Sequence, residues 1–402
     1  MRVLQINSTY GYSCTGLIVK VIGGMLVENR EEAFFAYQSC NDTPKNGYRV
    51  GNKLDWKLHA LFCRLSGKQA YYSKLPTKKL IKYIASIKPD IVHLHNLHSN
   101  YADLNLLLDF LAKKNIATVI TMHDCWYFTG KCFHYADIGC NRFEIGCGNC
   151  PKKNVAPRSL FFDKSSQILK DRYSYFSKIR RLSIVGCSDW ICREVKRGVL
   201  KDFNTVRIYN GVDINVFRPY NENILKKCYG ANCFYALGMA NKWLLPANRQ
   251  LLYSVIKILK EDYKLVLIGC NETQIKELQK LSSNIIALGF MHDREKLAKY
   301  YSAANVFVNV TLVDTLPTVN MESICCGTPV ITYDSCGSPE LVLEGCGRVV
   351  KKYDSRTLIE SMQSRIKKIE SNALKNARKQ FDKKECYKEY LTVYNNMIKG
   401  DV

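Results

Sequence analysis

The chain has 402 residues, 47% of them hydrophobic, and a formal net charge of +23. That length exceeds one ordinary core and suits two domains of about 200 residues each. No stretch approaches the roughly 18 uninterrupted apolar residues of a membrane span, and the opening "MRVLQINSTYGYSCTGLIV", broken by Gln5, Asn7 and Ser8, does not read as a signal peptide, so a cytoplasmic protein is expected.

In chain order, short apolar runs predict strands at 2–7 ("RVLQIN", leading into a glycine-containing loop), 32–37, 90–95, 117–123 and 182–188, with helical spacing at 77–87 and 101–115. At "TVRIYNGVDINVFRPY" (205–220) the pattern breaks. Asn210-Gly211 is a turn signal and Pro219 stops regular structure, which sets the domain boundary. Alternation then restarts, with strands at 233–240, 263–269, 284–289, 305–311 and 328–333 and amphipathic segments between them. Short strands alternating with helices imply two parallel sheets, each covered by helices. Two such sheets, facing each other across a cleft, would bind a ligand at the strands' C-terminal ends.

The stretch "LVDTLPTVNMESICCGTPVI" (312–331) carries the chemistry. Its loop leaves a buried strand, a helix begins near Val319, and Gly327 ends it. Asp314 stands at the strand end and Glu322 is expected in the helix's first turn, with seven residues between them. The helix N-terminus is an anion site. A diphosphate fits the amides of Leu316, Thr318 and Val319, with Glu322 accepting from a ribose and Asp314 from a second sugar. The structural alternative is a capping Asp and a dipole-stabilised Glu.

This arrangement resembles glycosyltransferase family 4, whose hallmark is a pair of acids separated by seven residues and followed by a "CGTPVI"-like strand; Asp here replaces the more common Glu at the first acid. The whole of 287–342 resembles the family. So do "IYNGVDINVFRP", "STYGYSCTGLIV" and "VITMHDCW", in the family's order. The resemblance implies a GT-B fold: two facing Rossmann-like domains with an interdomain cleft, an acceptor-side domain at 1–208 and a nucleotide-sugar-binding domain at 209–383, with the helix at 384–402 packing back on the first. It implies a retaining transfer of a hexose-type sugar from a nucleotide-sugar donor, with no catalytic metal and no protein nucleophile, to a growing surface polysaccharide such as capsule or exopolysaccharide, or to a lipid-linked oligosaccharide. His123 would lie near the reacting sugar carbon, and Gly16 would let the backbone approach the phosphates. Gly11 would help the turn, Asn96 and His98 would face the acceptor, at least one of His93 and His95 would be structural, and Glu340 would contact the donor or cap a helix.

Two departures from the family stand out. Leu17 replaces an Arg, and Pro246 and Ala247 follow Trp243 where a basic pair is expected to grip the diphosphate. Arg249 or Lys242 would have to substitute. Without a substitute, the chain would be a degenerate GT-B protein acting as a non-catalytic binding or partner subunit.

Two compositional features remain. Basic residues recur at 74–88, 178–181 and 365–385 without a nucleic-acid signature, which favours an anionic membrane surface over nucleic acid and places the protein peripherally on the inner face of the cytoplasmic membrane. Eighteen cysteines include Cys132, Cys140, Cys147 and Cys150. The last two form a C-x₂-C knuckle that suits a structural zinc site stapling a loop. The irregular spacing leaves free or redox-labile thiols as the other reading, and Cys125 reads as packed.

Overall fold

The strand that opens the chain, β1 (Arg2–Tyr10), runs straight into α1 (Ser13–Glu28) and back to β2 (Glu32–Cys40). β3 (Gly47–Arg49), α2 (Lys53–Ser66), α3 (Lys74–Ile87), β4 (Ile91–Leu94), α4 (Leu104–Lys113) and β5 (Ala117–Met122) follow. After a long loop come α5 (Ser165–Phe176), β6 (Leu182–Gly186), α6 (Asp189–Arg197) and β7 (Thr205–Arg207). These strands form one parallel sheet in the order β3-β2-β1-β4-β5-β6-β7. The structure is a computed structural model and describes residues 1–400.

A second sheet is built from α7 (Ile224–Tyr229), β8 (Phe234–Met239), α8 (Ala240–Trp243), α9 (Arg249–Ile258), β9 (Tyr263–Ile268), α10 (Glu272–Leu281), β10 (Ile285–Leu288), α11 (Arg294–Ala303), β11 (Val306–Asn309), α12 (Thr318–Cys325), β12 (Val330–Tyr333) and β13 (Gly347–Val350). Its order is β10-β9-β8-β11-β12-β13, again all parallel. The helices α13 (Ser355–Gln363), α14 (Ser371–Phe381) and α15 (Lys383–Lys399) complete the chain. Two units result: residues to Tyr209 together with the segment from Tyr387, and Asn210–Cys386. Each has the doubly wound order, which reverses between β1 and β4 and between β8 and β11.

The central strands β4, β5 and β6 are buried at every position. Helices cover both faces of such a sheet, so its strands read as continuous apolar runs rather than alternating ones. The short edge strands β3, β7 and β13 gave no such run. Two local expectations change. The first glycine loop shrinks to Gly11 and Tyr12, because Ser13 already begins α1, so Gly16 is helical. A full helix also forms at α2, capped by Asn52 in a reciprocal box with Asp55; no helix was expected there, because its leucines do not face the core.

Close packing fixes the end of β8. A Cβ on Gly238 would lie 2.2 Å from Trp243 Nε1, which itself donates to the Val308 carbonyl of β11 at 3.1 Å. Trp243 is fully buried. Gly238→Ala should therefore displace the indole and cost about 1–3 kcal/mol by overpacking, read as a lower denaturant midpoint with unchanged m-value.

Candidate active site

In the first unit, the functional candidates gather at the C-terminal ends of β1, β4 and β5. The Gly16 Cα faces Thr9, where an added Cβ would come within 2.7 Å of Oγ1 and 3.1 Å of the carbonyl oxygen. Its lack of a side chain thus lets α1 close on β1, a packing role within the unit. Gly11, at φ +76°, donates to the Gly16 carbonyl. Asn7 ties the neighbouring loop down, accepting from the Asn96 amide at 3.1 Å and donating to the Thr9 carbonyl at 2.8 Å. His98 pairs with Asp124 at 3.1 Å and packs against Phe133. Burial works to raise the Asp124 pKa, but the His98 charge and hydrogen bond, with the Trp126 amide, hold it below its ordinary value.

His123 follows β5 and belongs to a chain of buried polar groups. Gln5 Nε2 donates to the Val19 carbonyl, so its Oε1 accepts from His95 Nε2 at 3.2 Å. Burial holds His95 neutral, with the neighbouring His93 and His123 acting in the same direction. His95 Nδ1 therefore lacks a proton and accepts from His123 Nε2 at 3.0 Å. His123 is neutral too, its pKa pushed down to about 4 by burial, with the proton on Nε2 and the lone pair on Nδ1. His93 turns the other way, to Thr121 Oγ1 at 2.7 Å and Tyr394 OH at 2.7 Å, while Tyr390 OH meets Thr121 at 2.9 Å. These bonds dock α15 on the sheet. His93 and His95 are both fully buried: one anchors a helix, the other orients His123.

The expected zinc site is corrected. Among the described residues no group of three or more His, Cys, Asp or Glu side chains could hold a metal ion, and Cys132, Cys140, Cys147 and Cys150, although near enough to act on one another electrostatically, do not form one. None of the four is in a disulfide. Cys132 donates to Cys150, which lowers the Cys150 pKa. Cys147 Sγ accepts instead from the Gly130 amide at 3.4 Å. The loop is stapled by lysines. Buried Lys131 donates to the carbonyls of Lys152, Lys153 and Val155 at 2.8, 2.9 and 3.2 Å, and Lys152 bridges the His134 carbonyl and Asp137. An ammonium carries three donors in a compact head, enough to gather three backbone carbonyls.

In the second unit, the loops after β8 and β11 leave the sheet where its order reverses. Asn248 Nδ2 clamps them together, donating to the Lys242 carbonyl at 2.9 Å and the Val310 carbonyl at 3.0 Å. Lys242 Nζ then lies 3.8 Å from Asp314 Oδ2. Arg249, the other candidate for the missing basic pair, opens α9 with an exposed side chain. Asp314 Oδ1 accepts from the Leu316 amide at 3.2 Å, so that amide is engaged by the carboxylate itself. Thr318 and Val319 form the first turn of α12 and are half-buried. Nearby, Gly337 donates to the Asp314 carbonyl, while Ser338 Oγ is buried with no hydrogen-bond partner. Glu340 sits just beyond, in the 3-10 turn Pro339–Leu341.

Glu322 is the fifth residue of α12, one turn deeper than expected, and only 8% exposed. Its Oε1 accepts from Arg294 Nη2 at 3.3 Å and its Oε2 from Tyr301 OH at 3.2 Å. Burial raises its pKa to about 7, against the opposing pull of Arg294 and Tyr301. The sequence reading missed both partners. They stand seven residues apart on α11, two turns along one helical face, and that spacing was the available signal.

This fold is that of GT-B glycosyltransferases. A sucrose-phosphate synthase of Thermosynechococcus elongatus matches 99% of each chain with a TM-score of 0.67 at 15% identity. Anabaena HepE, solved in complex with UDP, matches 98% of this chain and 100% of its own, with a TM-score of 0.64 at 15% identity. The model described as Glycosyltransferase Family 4 matches residues 40–216, and that described as Glycosyl transferases group 1 matches 244–384. A putative colanic acid biosynthesis glycosyl transferase, WcaC of Escherichia coli K12, is 24% identical over 77% of each chain. Residues 40–216 thus match glycosyltransferase family 4 and residues 244–384 a second glycosyl transferase model, so both halves of the chain are glycosyltransferase-like.

Two measurements probe these sites. The Glu322 carboxyl is neutral in the fold at pH values where an unfolded Glu is ionised, so its contribution to stability is full below about pH 4.5 and is lost as pH rises through about 7. Glu322→Gln should remove that slope, and the wild-type melting temperature should fall relative to the variant between pH 5 and about 8. Gln5→Leu orphans the His95 Nε2 proton. It should cost about 1–3 kcal/mol in urea unfolding and shift the imidazole nitrogen resonances of His123.

Proposed function

We propose that this glycosyltransferase moves a sugar from a nucleotide-sugar donor, with retention of configuration, to a growing surface polysaccharide or lipid-linked oligosaccharide. The observation that carries this reading is Lys242 beside Asp314 at the order reversal of the second sheet, next to the opening turn of α12. The family's usual basic pair is missing from the sequence, and here a different cation occupies the crevice. That favours a working enzyme over a non-catalytic subunit. Relatives point the same way: HepE was crystallised with UDP, and WcaC is described as acting in colanic acid biosynthesis.

In this reading the diphosphate lies against Lys242 and the amides of Thr318 and Val319, where fixed positive charge meets the charge that develops on the leaving group. When donor displaces the Asp314–Lys242 contact, Asp314 is released toward the sugar, and the Leu316 amide with it. Glu322 accepts from the ribose hydroxyls, held in place by Arg294 and Tyr301. Ser338 Oγ is satisfied by the ligand. The bond from the anomeric carbon to the diphosphate breaks, the acceptor oxygen bonds to that carbon on the same face, and the acceptor proton passes to the departing diphosphate. Neutral His123 contributes a hydrogen-bonding imidazole nitrogen to the sugar. A hexose is the expected unit, and the protein works peripherally at the inner face of the cytoplasmic membrane.

A panel of UDP-, GDP- and ADP-sugars tests this by thermal shift and by nucleoside diphosphate release. One donor should stabilise wild type and be turned over, and Glu322→Ala should lose both. Lys242→Ala should lower turnover by roughly 10²–10³-fold, the scale of a lost oxyanion donor, whereas Arg249→Ala should stay near wild type. Absence of binding and release across the panel overturns the proposal.

A further inference from the structure

α2 is amphipathic in the wrong direction for a helix that covers a sheet. His59, Ala60 and Cys63 face inward and are buried. The opposite face carries Leu54, Leu58, Leu61 and Leu65, which are 63%, 44%, 47% and 37% exposed, with Phe62 beside them at 45%. Their spacing of four, three and four residues aligns them in one stripe along the helix. The stripe continues into the loop that follows the lysine-stapled segment. The Leu160 amide donates to the Arg64 carbonyl at 2.8 Å, which brings Leu160 and Phe161, 48% and 63% exposed, alongside the end of α2. A large contiguous apolar surface on a soluble face marks a binding site.

The rim of the stripe identifies what it binds. Lys53, Lys57 and Arg64 are exposed along one flank of α2, and Arg158 is exposed in the adjoining loop. The helix's one acid, Asp55, is engaged in the N-terminal capping box. A second copy of the chain on this face would press like-charged rims together, in a protein that already carries +23. An anionic bilayer matches both features, accepting leucines and phenylalanines between its headgroups while its phosphates meet the flanking cations.

We propose that α2 and the 160–162 loop form the surface by which this chain lies on anionic membranes, with the leucine stripe inserted at the headgroup boundary. This deepens the functional reading, because it assigns the membrane that carries a lipid-linked acceptor to a specific face of the first unit.

The full chain should co-sediment with vesicles of phosphatidylcholine mixed with phosphatidylglycerol, weakly with phosphatidylcholine alone, and less as salt rises. The variant Leu58→Gln/Leu61→Gln/Phe62→Gln should lose binding at least about tenfold, and Lys53→Glu/Lys57→Glu should lose the preference for phosphatidylglycerol. All five positions are exposed and outside the donor site, so nucleoside diphosphate release in solution should be unchanged. Wild type that ignores phosphatidylglycerol vesicles, or an apolar-face variant that binds them like wild type, overturns the proposal. So does a concentration-dependent dimer in light scattering that the apolar-face variant abolishes, which would assign the face to a second copy. Vesicle binding without any donor turnover would leave the membrane surface standing and remove the transferase reading; turnover without vesicle binding would do the reverse.

Discussion

A parallel sheet whose order reverses forces the loops on either side of the reversal to leave in opposite directions, and the crevice between them is where a ligand fits. In the second unit this constraint falls between β8 and β11. The protein closes it with two polar clamps: the Trp243 indole donates across to Val308, and the Asn248 amide holds the carbonyls of Lys242 and Val310 together. Both clamps bracket Lys242. Because they fix its backbone against the β11 side, the ammonium reaches Asp314 without any basic pair in the usual sequence position.

The two acids of the motif are then sorted by surroundings rather than by residue type. Asp314 sits half-buried beside a cation at the crevice mouth. Glu322 lies under α11, where burial outweighs Arg294 and holds its carboxyl up to about 7. Pairs of acids placed in such unlike environments take different roles. In the first unit, the same economy of polar groups appears in the histidines. Gln5 determines which His95 nitrogen carries the proton, and that in turn determines which nitrogen of His123 does.

The loop after β5 shows how a plausible motif dissolves in three dimensions. A C-x₂-C knuckle with two further cysteines suits a metal, yet Lys131 occupies the loop's polar centre and gathers three carbonyls there. A buried ammonium must have its donors satisfied. Meeting that need organises the backbone around nitrogen, while Cys132 hydrogen-bonds to Cys150.

The sequence by itself determined the two parallel α/β halves, because strands buried on both faces are written as largely apolar runs such as "ATVITM" and "LVLI", and it carried the resemblance to glycosyltransferase family 4, because Asp314, Glu322 and the strand after them are local in the chain. Lys242 could be named only as one of two candidates. Helix α2, the partners of Glu322 and the Gln5–His95–His123 chain were decided by tertiary structure alone. The physical reason is common to all four. Each depends on which residues, distant in sequence, share a strand end or a helix face, and on how far burial shifts their protons. Leucines placed to face solvent look the same in sequence as leucines placed to face a core.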